Sequence, residues 1–124
     1  MPKTHVDWFG FRAKDTPDVM AMALSEVVPD HMAISLSKRK TGWRSFESSF
    51  DVWLTDTRGN PETDCCRVGM AMTGGEAVKG WSMLSLSGEG CGWVTDWGRA
   101  MDVCTDQLPE FELKRVDLAL DRFD

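Results

Sequence analysis

The chain has 124 residues, 42% hydrophobic and 27% charged, which is material for one domain with a real core and leaves no room for a second of usual size. Twenty acidic against fourteen basic residues give a net charge of −6, which excludes coating nucleic acid or anionic lipid by bulk charge and leaves only a local basic patch for such a role. Six Trp and six Phe are present but no Tyr, so chemistry through a tyrosine nucleophile is excluded from this sequence.

The start, Met1-Pro2-Lys3-Thr4-His5-Val6-Asp7, meets charge before any apolar run of signal-peptide length, and no stretch approaches a membrane span; the expectation is a cytoplasmic protein without a membrane partner. His5 to Arg12 reads as an aromatic-rich strand. Thr16 is placed as an N-cap, with Pro17 at the first helical position and Asp18 in the first turn. The helix carries Met20, Ala23, Leu24, Val27 and Val28 as its apolar stripe and stops before Pro29. A short apolar strand, Ala33 to Leu36, leads into the basic turn Lys38-Arg39-Lys40-Thr41-Gly42-Trp43-Arg44.

Three strands follow as sequential hairpins. Phe46, Ser48, Phe50, Val52 and Leu54 share one face of the first, and Arg58-Gly59-Asn60-Pro61 supplies turn chemistry. Alternation places Cys66, Val68, Met70 and Met72 on one face of the second, and Leu84 and Leu86 on one face of the third, Trp81 to Ser87. A glycine-rich segment, Ser87 to Gly92, is expected as a tight loop. It fails the dinucleotide fingerprint, because Trp93 stands where the third glycine belongs. A second helix then shows Val94, Trp97, Ala100, Met101, Cys104 and Leu108 at helical spacing, and Leu108-Pro109 ends it. The chain closes on a strand, Glu112 to Arg122. This order predicts an α+β domain: a largely antiparallel five- to six-stranded sheet with two helices packed on one face. Trp53, Trp81 and Trp97 and most of the eight Met are expected in the core. Cys65, Cys66, Cys91 and Cys104 contain no Cys-x-x-Cys pair and are expected as reduced, small core residues.

The closing strand holds the most specific chemistry. Alternation puts Val116, Leu118 and Leu120 on one face and Arg115, Asp117, Ala119 and Asp121 on the other. Asp117 and Asp121 lie roughly 13 Å apart in a regular strand, so they cannot both ligate one ion. Asp7, on the side of Phe9 and Phe11, joins Asp117 only if the first and last strands are neighbours. The segment Ser85-Leu86-Ser87-Gly88-Glu89-Gly90-Cys91, a Trp-containing helix and Lys114-Arg115-Val116-Asp117-Leu118-Ala119-Leu120-Asp121 together resemble the rolling-circle replication initiators of filamentous phages and related plasmids. The opening Val6-Asp7-Trp8 is also similar to their start, and the resemblance spans most of the chain.

That resemblance implies an initiator that nicks and religates DNA at a replication origin through a tyrosine, with a divalent metal, magnesium or manganese, held by carboxylates. Asp117 and Asp121 are the residues here that match the family's Arg-x-Asp-x-Ala-x-Asp strand near the active site; they and, by strand adjacency, Asp7 are the expected metal-site carboxylates, with at most one of Asp117 and Asp121 on the ion, and Arg115 is an expected DNA contact. The family's nucleophile lies further toward the C-terminus. The expectation is therefore an N-terminal domain of a longer initiator, inactive alone and completed by a C-terminal catalytic part, in a bacterial host.

DNA is the expected partner, as single strand or hairpin at the origin. Lys38, Arg39, Lys40 and Arg44 put four positive charges within seven residues, with Trp43 between them, so backbone contacts plus base stacking are chemically available there. Residues 89–124 hold nine acids and four bases, a net of −5, so nucleic acid is expected from the basic-turn side. The competing expectation is a protein-interaction or homodimerisation module with no direct DNA role.

Overall fold

A computed structural model describes residues 3–42, 44–60, 65–75 and 78–121. Six strands and three helices follow in chain order: β1 (Lys3–Ala13), α1 (Pro17–Ser25), β2 (Met32–Lys38), β3 (Ser48–Asp56), β4 (Cys65–Thr73), β5 (Ser82–Ser87), α2 (Gly88–Cys91), α3 (Trp97–Gln107) and β6 (Glu112–Asp121). The strands form one sheet in the order β2-β3-β4-β5-β1-β6, and every neighbouring pair is antiparallel. This is the α+β architecture expected from the order of elements. First and last strands lie side by side.

Local chemistry explains the element ends. The Thr16 hydroxyl accepts from the Val19 amide with Pro17 at the first turn of α1, and the Asp96 carboxylate accepts from the Arg99 amide at the start of α3. α1 stops at Ser25, four residues before Pro29. The Ser25 hydroxyl donates to Ala21 O and accepts from the Ile34 amide at 2.9 Å, tying the helix end to β2 while Val27 and Val28 stay buried in the turn between. The glycine-rich segment, expected as a loop, forms the single helical turn α2. Gly90 lets that turn sit on the sheet, since a Cβ there would stand 2.8 Å from the Val68 Cβ.

The helices cover one face. Phe9 and Phe11 from β1, Val52 and Leu54 from β3, Val68 from β4 and Leu84 and Leu86 from β5 are buried there with Met20, Leu24, Ala100 and Cys104. Burial of this set, at about 25 cal/mol per Å² of apolar surface, is the main stabilising term. β6 is an edge strand beyond the reach of the helices. Val116 and Leu118, on the face expected beneath the helices, therefore stand 40% and 67% exposed on the helix side of the sheet, as does Leu113 at 41%.

Three register shifts break the strict alternation. Val68 is an extra residue in β4, because Val52 pairs with Gly69 while Trp53 pairs with Arg67. Gly69 beside it permits β5 to close in, since a Cβ there would lie 1.8 Å from Ser85 O. The shift overturns the expected face of β4: Val68 and Ala71 point to the core, while Met70 and Met72 turn to the open face. Asp7 is extra in β1, which brings Val6 to the helix side and Trp8 to the open side. Lys114 is extra in β6, where Gly10 pairs with Arg115 and Phe11 with Leu113.

Candidate nucleic-acid interface

The face of the sheet away from the helices is open. Its centre is a cavity of about 650 Å³ over β4, β5 and β1, with Gly10, Met70, Met72, Met83 and Ser85 among its lining residues and Trp8 at one side. Arg44, Arg67, Lys114 and Arg115 line it as well, so apolar surface is ringed by cations. The register shifts build it. Without the extra Val68, Met70 and Met72 would enter the core, and the extra Lys114 sets two consecutive cations, Lys114 and Arg115, at the cavity.

Each tryptophan of this face among the described residues is engaged. The Arg115 guanidinium lies 4.9 Å from the Trp8 ring centre and donates to Asp117 at 2.6 Å. Arg12 lies 4.0 Å and Lys14 Nζ 5.2 Å from the Trp81 ring centre, and Arg12 donates to Glu112 at 2.7 Å. Trp53 Nε1 donates to the Ser37 hydroxyl at 2.8 Å. Trp53 and Trp81 are thus half-buried rather than core residues, while Trp97 alone of the three packs against the core, 4.9 Å from the Phe9 ring. Arg67 pairs with Asp51 at 2.8 Å.

Basic residues concentrate at one end of the strands, beside Glu47, Glu110 and Glu112, of which Glu112 pairs with Arg12 and Lys114 and Glu110 with Lys14. The β2–β3 connection with Lys38, Arg39, Lys40 and Arg44, the loop with Lys79, and Arg12, Lys14 and Lys114 all fall at the end of the sheet where β1 ends and β6 begins. Eight of the fourteen basic residues are therefore gathered at that end. Lys38, Arg39 and Lys40 are exposed, and Arg44 adopts a left-handed backbone (φ 54°) at the cavity. Trp43 lies outside the described residues. The helix side carries exposed Asp18, Glu26, Asp96, Asp102 and Asp106 instead.

Of the carboxylates expected as metal ligands, Asp117 and Asp7 are on opposite sides of the sheet. Asp117 is on the open face, clasped by Arg115, which holds its carboxyl below the usual range and raises the guanidinium in turn. Asp7 lies on the helix side, against Gly88 at the start of α2, where its charge adds to the burial that pushes the Cys91 thiol up to about 12. Asp121 pairs through its backbone with Lys3, and its side chain lies outside the described residues. Among the described residues no group of three His, Cys, Asp or Glu side chains converges as a metal centre requires. Cys91 and Cys104 are buried, and burial raises Cys104 to about 11, so both remain neutral thiols at physiological pH. Glu112 is held below the usual carboxylate range, first by its hydrogen bond from Arg12 and then by that from Lys114.

Of the residues singled out from the sequence, Arg44 and Arg115 line this cavity. Sequence reasoning missed Trp8, Arg67, Lys114 and the methionine floor. The one sequence signal for them was the Gly69 flanked by Val68 and Met70, since a glycine inside a strand marks a bulge or a close approach.

No protein-family model matches the chain, and no curated protein matches it significantly. Among solved structures it is similar to a rolling circle replication initiator protein from Geobacillus stearothermophilus, with a TM-score of 0.59 and 15% sequence identity over 97% of this chain and 44% of that one. At that identity the likeness establishes a shared fold. The chain spans under half the length of that structure. No helix among the described residues is long and apolar enough to cross a membrane.

Proposed function

We propose that this chain is a DNA-contacting domain of a replication initiator of the rolling-circle kind, with DNA approaching the cationic end of the open sheet face. The observation that carries this reading is the gathering of eight of fourteen basic residues at one end of the sheet of an otherwise acidic chain, in a fold shared with an initiator. Lys38, Arg39, Lys40 and Arg44 supply phosphate contacts at the tip, and Arg12, Lys114 and Arg115 continue them across the face. Phosphate neutralisation releases counterions, so affinity is strongly salt-dependent. A divalent ion bound in the whole initiator would need ligands beyond any group that converges among the described residues. Strand cleavage by tyrosine requires a residue this sequence does not contain.

Fluorescence anisotropy with a hairpin oligonucleotide at two salt concentrations tests the reading. Binding at low salt is expected to weaken roughly tenfold or more when Lys38, Arg39, Lys40 and Arg44 are all replaced by Ala, with the salt slope falling by about one per lost phosphate contact. Absence of binding at low salt, or indifference to the four substitutions, overturns it.

A second reading rests on β6. Its apolar side chains Leu113, Val116 and Leu118 are uncovered on an edge strand, the signature of a surface that meets another protein chain. On this reading the domain is an interaction module, and self-association is the direct measurement.

A further inference from the structure

The cavity on the open face has a composition that phosphate contact alone does not require. A surface that only grips a duplex backbone needs cations and polar groups, because base faces in a duplex are stacked away from the protein. Here the lining is largely apolar, with three thioethers, Met70, Met72 and Met83, beside the indole of Trp8. Thioethers are polarisable and conform to flat rings, and an indole face stacks on any base. Core packing does not account for them, because these residues lie on the side of the sheet opposite the helices and each remains partly exposed. The register shift at Val68 turns Met70 and Met72 outward, and Gly10 leaves the strand beneath Trp8 without a side chain.

The charge around this apolar floor selects an anion. Arg44, Arg67 and Lys114 line the cavity beside Arg115, which already lies 4.9 Å from the Trp8 ring centre. A flat apolar group carrying negative charge on either side fits that pattern. The volume, about 650 Å³, lies within the roughly 300–1,000 Å³ of sites that enclose small ligands and is suited to one or two nucleotides rather than a double helix.

We infer that the open-face cavity is a base-stacking subsite: an unpaired nucleotide lays its base against Trp8 and the methionine floor, with its flanking phosphates on Arg44, Arg67 and Lys114. This rests on the DNA-contact reading above and adds to it a specific place and a ring that distinguish unpaired from paired strands. Arg115 sits against the same indole, so guanidinium and base share the Trp8 surface. Asp117 accepts a hydrogen bond from that guanidinium at 2.6 Å and places a negative charge beside it.

The test uses the whole chain and three probes of equal length: a single-stranded oligonucleotide containing one 2-aminopurine, the corresponding duplex, and the same single strand with abasic positions. Single strand is expected to bind at least tenfold tighter than duplex at equal salt, with 2-aminopurine fluorescence quenched on binding, and abasic positions are expected to remove that preference. Trp8→Leu is expected to lower single-strand affinity roughly 5- to 100-fold, leaving duplex affinity and the salt slope unchanged, while Trp8→Phe retains most of it. Melting temperature and far-ultraviolet dichroism confirm that both variants fold. Equal affinity for single strand and duplex, with no effect of Trp8→Leu, overturns the subsite and leaves the DNA-contact reading standing. No binding of any probe at low salt overturns both.

Discussion

The two faces of this sheet are made from the same strands and differ in what their apolar side chains meet. On the helix side, Phe9, Phe11, Leu84 and Leu86 are buried and hold the domain together. On the open side, Trp8, Met70, Met72 and Met83 remain partly exposed within a ring of cations. Both sets are apolar, so hydrophobicity alone does not separate them. What separates them is neighbourhood: the inner set meets other apolar side chains, whereas the outer set meets Arg115, Lys114 and Arg67. Stability is thereby stored on one face, and recognition is free to occupy the other.

That division is open to direct attack, and the largest effect is expected on the inner face. Phe11 is fully buried, 5.5 Å from the Phe9 ring and 5.3 Å from that of Phe111. Phe11→Ala is expected to destabilise by about 3–5 kcal/mol in urea unfolding, a large share of the roughly 5–15 kcal/mol of an ordinary domain. Trp8→Leu, three residues earlier on the same strand, is expected to cost less than about 1.5 kcal/mol, as a swap at a partly exposed site beside an open cavity. Comparable losses at the two positions would abolish the distinction between the faces.

The inner face was readable because its signals are periodic. Met20, Ala23 and Leu24 recur at helical spacing, Leu84 and Leu86 alternate, and Thr16-Pro17 carries its own capping chemistry, so the element order and the antiparallel α+β class follow from local rules. The outer face was legible only in part. The basic turn and the Arg115–Asp117 strand stand out as charge patterns. The methionine floor does not, because extra residues at Val68, Asp7 and Lys114 shift the phase of alternation, and a one-residue shift exchanges the two faces. Nor does sequence spacing reveal that Asp7 and Asp117, on adjacent strands, end on opposite sides of the sheet. Sheet order was the further gap: β6 pairs with β1 at an edge, a long-range choice that leaves Val116 and Leu118 uncovered.

A smaller effect sharpens the chemistry of the open face. Asp117 donates no positive charge to DNA and holds Arg115 through two hydrogen-bonded oxygens. Asp117→Asn is expected to tighten single-strand binding about two- to fivefold, through loss of one negative charge near the phosphates. A residue acting chiefly as metal ligand behaves in the opposite way, losing binding or manganese response on the same substitution. The pH dependence has a definite sign. Because Arg115 lowers the Asp117 pKa, the ion pair is intact at neutral pH and is lost only as pH falls below the usual carboxylate range. The contribution of this pair to wild-type affinity should therefore not vary with pH between about pH 5 and 8, and Asp117→Asn should keep its advantage throughout that window.

The smallest effect concerns the part of the helix side that the helices do not reach. Leu118 is 67% exposed, so Leu118→Lys removes little buried surface and is expected to change stability by no more than about 0.5 kcal/mol. Its consequence lies in association. Three apolar side chains on one edge strand present far less than the roughly 1,200 Å² that a stable interface buries, so self-association through β6 is expected to be weak and visible only at high protein concentration in sedimentation velocity. Leu118→Lys is expected to abolish it while leaving oligonucleotide binding at the cationic end unchanged. A tight dimer that the substitution dissociates together with its DNA binding would instead join the two functions, making the edge strand part of the recognition surface rather than a separate one.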